Sequence, residues 1–328
     1  MINLPGKKYL VGVDLGGTWV RVVLSDCQGL IVENVRERVD VASSDAISLQ
    51  VIRLVRFLCK KGGADVAELR GVGIASAGPL DMERGILVNP PNFPFDSIVL
   101  TEPVREALGV PACLINDCAA AALGETTFGA AKGVENFVYI TISTGIGGGA
   151  IVNGTLLLGK DGNGHEVGHF VIDYEGRLTC GCGRKGHWEA YCSGRNVPNY
   201  VRMRFDEIGL RIVMRSALYE GLQGDFSQLC AADLFNAARN GDKLSTMLVG
   251  EIGKLNAIGF ANVTNAYDPS MITVGGTVAL KNIEAVLSPI WKHVSDYAIN
   301  RVPEIKPTQL GENVGVYGAV AAALKYLP

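Results

Sequence analysis

Apolar and polar positions fall into a strand pattern from the start of the chain. "KYLVGVDLGG" is an apolar run that ends in an acid and paired glycines, which reads as a strand entering a turn. "TWVRVVLSD" alternates with period two, and "GLIVENVRERV" does so again. Their connections, "DLGG" and "DCQG", are short, so the three segments predict an antiparallel meander. Apolar residues then move to helical spacing: Ile47, Val51, Leu54, Val55 and Leu58 within "SSDAISLQVIRLVRFLCKK". Ser43 or Ser44 suits the N-cap, and Gly62-Gly63 the stop. "LRGVGIASAG" and "VPACLIND" read as buried strands. The order so far is β-β-β-α-β-α-β.

The pattern then resets. "CAAAALGETTFG" reads as an alanine-rich helix, "ENFVYITIS" as a strand, "TGIGGG" as a turn, and "AIVNGTLLLG" as a returning strand pair. This repeats the layout of residues 9–37. Helical spacing dominates "NVPNYVRMRFDEIG", "AADLFNAARNGD" and "KLSTMLVGEIGKLNAIGFANVTNAY". "SMITVGGTVAL" reads as a strand into a glycine turn, "NIEAVLSPIWKHVSDYAIN" as a helix, and "VGVYGAVAAALKYL" as a last small-residue helix. One supersecondary plan is used twice. It predicts an α/β chain with a smaller domain over 1–120 and a larger one over 121–313, the helix at 314–328 packing back on the first.

Length supports the division: at roughly 150 residues per domain, 328 residues suggest two. Hydrophobic residues make up 48%, enough for more than one core. Charged residues are 19% and net charge is -3, which argues against a nucleic-acid or membrane partner. "MINLPGKKYLVGVDLGG" does not read as a signal peptide, and every long apolar run is broken by glycine. The expectation is a soluble, cytoplasmic protein. Its cysteines are then expected to be reduced, with Cys27, Cys59, Cys113, Cys118 and Cys230 buried.

The 41 glycines matter where they cluster at strand ends. "DLGGT" at 14–18 gathers a carboxylate, backbone N–H groups and a hydroxyl at one point. Such a nest suits phosphate oxygens, and the acid suits Mg²⁺. "STGIGGG" at 143–149 places a hydroxyl and glycine N–H groups at the second meander in the same way, and "VGGTVAL" at 274–280 is a third strand-to-glycine turn. None is a P-loop or a Rossmann fingerprint, because no G-x-x-x-x-G-K-[ST] occurs and no G-x-G-x-x-G opens a helix. Three of the four histidines and three of the eight cysteines lie in "GHEVGHFVIDYEGRLTCGCGRKGHWEAYC", residues 164–192. By itself that cluster reads as a metal site, a redox site, or a chance crowding of residues that favour loops.

Taken in order, "VGVDLGGT", "GIASAGPLD", "LINDCAAAALGE", "ITISTGIGGGAIVNGTLL", "GHEVGH" and "CGCGRKGHWE" resemble the ROK family of repressors and sugar kinases. "ITVGGTV" and "VYGAVAAAL" fit as well, so the resemblance covers essentially the whole chain. It implies two actin-like (ribonuclease H-like) domains, each a mixed sheet with an N-terminal antiparallel β-meander flanked by helices, with a cleft between them. It implies transfer of the γ-phosphoryl group of Mg-ATP to the 6-hydroxyl of a glucose-type hexose. An N-acetylhexosamine (N-acetylmannosamine or N-acetylglucosamine) is the alternative substrate, and a sugar-responsive regulator the alternative class. Such regulators carry an N-terminal winged helix-turn-helix, for which Asp14 is expected to leave no room.

By the same resemblance Asp117 is the general base. Gly78, Asn92, Asn116, Glu166, His169 and Glu189 join it in binding sugar, with Asn89 an alternative to Asn92. Spacing alone lets Asp117 be read equally as a cap on the helix that follows. Asp14, Gly16, Gly17, Thr18, Thr144, Gly145 and Gly147 would hold the phosphates, with Asp14 on magnesium. Gly275, Gly276 and Thr277 would lie near adenosine. Within a loop over 165–190, His169, Cys180, Cys182 and His187 would hold a structural zinc. The family usually has a third cysteine where His187 stands; Cys₂His₂ is an ordinary zinc set, and Cys192 or His165 are alternatives for its fourth member. His165 stands where the family more often has a small residue. His293 reads as a surface residue. A homodimer or homotetramer is implied.

Overall fold

The computed structural model describes residues 6–327. Residues 1–5 and 328, the ends of the expected first domain and last helix, lie outside the described residues. The chain divides into two compact units: Met1–Glu135 with Gly149–His165 and Thr308–Pro328, and Asn136–Gly148 with Glu166–Pro307.

In the first unit β1 (Tyr9–Leu15), β2 (Trp19–Asp26) and β3 (Ile31–Arg38) form the meander. Helix α1 (Ser44–Lys61) follows, with Ser43 as its N-cap accepting from the Ala46 N–H. β4 (Leu69–Ser76) then runs parallel to β1. Three short strands come next, β5 (Leu80–Asp81), β6 (Ile86–Val88) and β7 (Ser97–Val99), forming a small sheet that the sequence pattern does not announce. Helix α2 (Thr101–Leu108), β8 (Ala112–Asn116) and α3 (Asp117–Thr127) complete this stretch. The main sheet has the order β3-β2-β1-β4-β8.

The pattern places a boundary at residue 120, which falls inside α3. α12 (Val314–Tyr326) packs along that helix at a distance that only glycine permits. A Cβ on Gly124 would lie 2.8 Å from the Gly318 N. α12 also lies on the sheet, where a Cβ on Gly73 would meet the Ala319 carbonyl oxygen at 2.0 Å. The small residues that make this helix look weakly amphipathic are what let its backbone approach so closely.

The second sheet has the order β11-β10-β9-β12-β13. β9 (Phe137–Ile142), β10 (Ile146–Val152) and β11 (Thr155–Leu156) form its meander. A short helix α4 (Glu189–Cys192) and then α5 (Val197–Ile208), α6 (Leu210–Val213), α7 (Ala217–Gly221), α8 (Ala231–Arg239) and α9 (Lys243–Tyr267) come before β12 (Met271–Gly275). α10 (Thr277–Lys281), α11 (Ile283–His293) and β13 (Glu304–Pro307) follow. Gly147, Gly148 and Gly149, expected in a turn, belong to strand β10. The chain turns earlier, where the Ser143 N–H donates to the Gly145 carbonyl at 2.9 Å. These strand glycines make room for neighbours. A Cβ on Gly148 would meet Val167 at 2.8 Å, and one on Gly149 the Cys118 carbonyl oxygen at 2.1 Å. All eight cysteines are free, but Cys230 is exposed at the N-cap of α8 rather than buried, and Cys27 and Cys113 are half-buried. No described helix is long and apolar enough to cross a membrane.

Candidate functional site

Two groups of side chains emerge, one in each unit. In the first, the carboxyl ends of parallel strands come level. Leu15 of β1 pairs with Ser76 of β4, and Ser76 pairs with Asn116 of β8. The Ser76 hydroxyl donates to the Leu15 carbonyl at 3.0 Å, tying the strand ends together. In open α/β sheets this edge is where ligands bind. Asp14 lies one residue before Leu15. Burial, then the charge of Asp117, raises its carboxyl to about 6, against the lowering influence of Arg21. The negative charge of Asp117 is therefore near enough to disfavour ionisation of Asp14.

Asn116 is the N-cap of α3 and is only 8% exposed. Its Oδ1 accepts from the Cys118 and Ala119 N–H groups at 2.9 and 3.1 Å. Capping thus falls first to Asn116, although Asp117 Oδ1 also accepts from the Cys118 N–H at 2.8 Å. The "DLGGT" turn closes with the Gly16 N–H donating to the Trp19 carbonyl at 3.0 Å. Thr18 is exposed, and a Cβ on Gly17 would meet Asn92 at 2.8 Å. Asn92 therefore sits over the turn, while Asn89 occupies a left-handed turn position at φ 45. Gly78 lies beside Asn163, whose Oδ1 accepts from the Leu80 N–H at 3.3 Å.

In the second unit, Glu189 opens α4 and reaches back to the second turn. Its Oε2 accepts from the Ile146 N–H at 2.8 Å, and its Oε1 accepts from the Cys180 thiol at 3.6 Å. A Cβ on Gly145 would lie 2.5 Å from Glu189 Oε2, so this glycine makes room for a carboxylate. Thr144 is exposed at the turn's tip, and the turn's carbonyls accept from the Gly194 and Arg195 N–H groups. Gly275 ends β12 and Gly276, at φ 88, caps the short helix that Thr277 begins.

The ligand atoms of His169, Cys180, Cys182 and His187 all lie within 4.8 Å of one another. Cys182 Sγ is 3.4 Å from His187 Nδ1. A tetrahedral zinc with ordinary bond lengths places sulfur and nitrogen ligands about 3.6 Å apart, so the donor set fits that ion. His165 and Cys192 are outside the group. The Cys192 thiol instead donates to the Ile252 carbonyl at 3.7 Å, and burial pushes it well above the thiol range. Burial also pushes Cys180 up to about 12. The Glu166 carboxylate, with Oε2 3.3 Å from His169 Nδ1, holds that imidazole up at about 9 against burial.

The surrounding scaffold is held by hydrogen bonds and packing. "CGCGRKG" folds as a tight ribbon, the Cys180 N–H donating to the Arg184 carbonyl at 2.8 Å. Trp188 is fully buried; its indole N–H donates to Asn256 Oδ1 at 2.8 Å, and it stacks edge-on against Phe260 of α9. The Tyr191 hydroxyl donates to Asp173 and accepts from the Leu178 N–H. His293 is the last residue of α11, half-buried, with its Nδ1 3.0 Å from Asp296 Oδ2.

Several neighbours of the site carry no local signature. Arg21 pairs across strands with Asp14, Gly315 leaves room for that carboxylate at the start of α12, and Asn163 lies beside Gly78. The alternation of β2 includes Arg21, but only the pairing register puts it opposite Asp14.

Paired α/β units with glycine turns at the strand ends define the actin-like class of sugar kinases. The architecture is shared with a ROK glucokinase from Streptomyces griseus in complex with glucose and AMPPNP, at TM-score 0.77 and 30% identity, covering 95% of this chain and 98% of that one. A glucokinase of Pyrobaculum calidifontis is 36% identical over 97% of this chain and 95% of its own length. One from Aeropyrum pernix is 36% identical over 96% and 97%. The ROK family model matches residues 10–326. The chain belongs to the ROK family.

Proposed function

We propose that the protein is an ATP-dependent glucokinase, transferring the γ-phosphoryl group of Mg-ATP to the 6-hydroxyl of glucose. The observation that carries this reading is Asp117, set at the end of β8 beside Asp14. Phosphoryl transfer asks little covalent chemistry of a protein; it needs alignment, a metal and an acceptor for the nucleophile's proton. Asp117 accepts that proton. Asn116, with Oδ1 engaged by α3, offers its Nδ2 to a sugar oxygen. Gly78, Asn92, Glu166, His169 and Glu189 read the remaining hydroxyls, since carboxylates accept paired hydroxyl hydrogen bonds well. The glucokinase names of the relatives favour glucose over an N-acetylhexosamine.

Magnesium on Asp14 would add positive charge to that of Arg21 beside its buried carboxylate. Gly16, Gly17 and Thr18 on one turn, and Thr144, Gly145 and Gly147 on the other, would hold the phosphates; Gly275, Gly276 and Thr277 would lie near adenosine. Of these, Gly145 takes part through the space it leaves for Glu189. Zinc on His169, Cys180, Cys182 and His187 would fill four protein ligands and so be structural, fixing the loop that carries Glu166 and Glu189. A coupled assay with ATP and a panel of hexoses and hexosamines tests the reading. Turnover should be greatest on glucose, and no turnover on any sugar would sink it. Asp117→Asn should lose at least about 100-fold in turnover, the lower range for a general base, while sugar binding persists.

A further inference from the structure

The face of the first meander turned away from α1 carries a feature that the kinase reading does not use. Trp19 is 36% exposed at the start of β2, immediately after the first glycine turn. Two guanidinium groups converge on its ring. The Cζ of Arg36 lies 4.2 Å from the ring centroid and that of Arg38 lies 5.4 Å from it. Both come from β3, where Arg38 pairs with Trp19 and Arg36 with Arg21.

The two faces of β3 are treated differently. Glu33 and Glu37 point toward α1 and are paired there, with Lys61 and Arg53. Arg36 and Arg38 point the other way, and neither has an acidic partner among the described residues. They lie closer together than the roughly 10 Å over which salt screens exposed charge, so their fields add. Like charges held this close without a counter-ion repel each other. Stacking on one indole fixes them there, and a stacked guanidinium keeps its N–H edge free for a bidentate oxyanion. Charge on an edge strand also discourages strand pairing, but that protection needs neither an aromatic ring nor two cations meeting on it.

The position is tied to the phosphate turn. The Trp19 carbonyl closes that turn by accepting from the Gly16 N–H, and the Val39 N–H at the end of β3 donates to the Thr18 carbonyl at 3.0 Å. We propose that Trp19, Arg36 and Arg38 form a binding site for a phosphate-bearing anion, beside the first glycine turn and additional to its donors. The recognised chemistry is a dianionic phosphoryl group, free or carried on a small molecule.

Trp19 is its own reporter. Trp188 is fully buried and Trp291 is 47% exposed, so a W291F background leaves Trp19 as the exposed tryptophan. The full chain is titrated at constant ionic strength with inorganic phosphate, tripolyphosphate, glucose 6-phosphate and ADP in separate arms. At least one arm should give a saturable change in emission, and which arm binds tightest identifies the source of the phosphoryl group. R36Q/R38Q should weaken that binding at least about tenfold, the scale of a lost charged hydrogen bond. R36Q and R38Q alone should give intermediate losses. Both side chains are exposed, and retained sugar-kinase turnover identifies folded variants. The proposal is overturned if chloride at equal ionic strength produces the same change, if no arm saturates, or if R36Q/R38Q titrates like its parent.

Discussion

Asp14 should make the protein less stable in proportion to its ionisation, which Asp14→Asn tests directly. Its carboxyl is raised to about 6 from a reference of 3.8, by burial first and by Asp117 second. The ionised form is therefore disfavoured in the folded state. A shift of that size corresponds to at most about 3 kcal/mol, at 1.36 kcal/mol per unit. The sign follows from proton uptake. Between pH 3.8 and about 6 the folded chain binds more protons at this site than the unfolded one. Stability is thus lost as pH rises through that window, and the full penalty is present above it. Asn keeps the shape and removes the charge. The gain of Asp14→Asn should be under about 1 kcal/mol near pH 4 and approach about 3 kcal/mol by pH 7.5. At about 2 °C per kcal/mol for a chain of this size, the thermal midpoint should rise by several degrees at pH 7.5, and by little at pH 4. The same substitution should remove most Mg-ATP-dependent turnover. Thermal unfolding of both proteins across that pH range, without nucleotide, is the measurement. A difference independent of pH, or an Asn variant less stable at pH 7.5, would refute the reasoning.

Three further outcomes follow from the second unit. His187→Ala should lower the zinc content of purified protein, whereas a zinc-replete variant would remove His187 from the ligand set. Chelation of the wild-type protein should raise the KM for sugar while far-UV circular dichroism changes little, because Trp188 and Tyr191 hold the loop independently; an unchanged KM would separate the metal loop from the sugar. Gly145→Ala places a Cβ 2.5 Å from Glu189 Oε2. It should cost about 1.5–3 kcal/mol of kcat/KM, the range of a charged hydrogen bond, and kinetics equal to wild type would show that Glu189 adapts.

What could be read from the chain tracks what is local. The meanders, α1 with its Ser43 cap, and α9 follow from period and punctuation, which need no tertiary information. Strands of two or three residues, β5 to β7, fall below the length at which period means anything. Glycine is the residue where the local reading strays furthest. "TGIGGG" looks like a turn because glycine tolerates any backbone angle. Yet Gly148 and Gly149 sit in β10 for want of a side chain, since Val167 and the Cys118 carbonyl fill the space. Gly145 does the same for Glu189. In each case the second residue of the contact lies far away in sequence, so the packing reason is not visible in the motif. A glycine cluster in this chain therefore carries two messages, a possible phosphate nest and a close approach. Substituting alanine separates them: at a nest position with open space it should change nucleotide affinity first, and at Gly149, where the added Cβ would lie 2.1 Å from the Cys118 carbonyl oxygen, stability first.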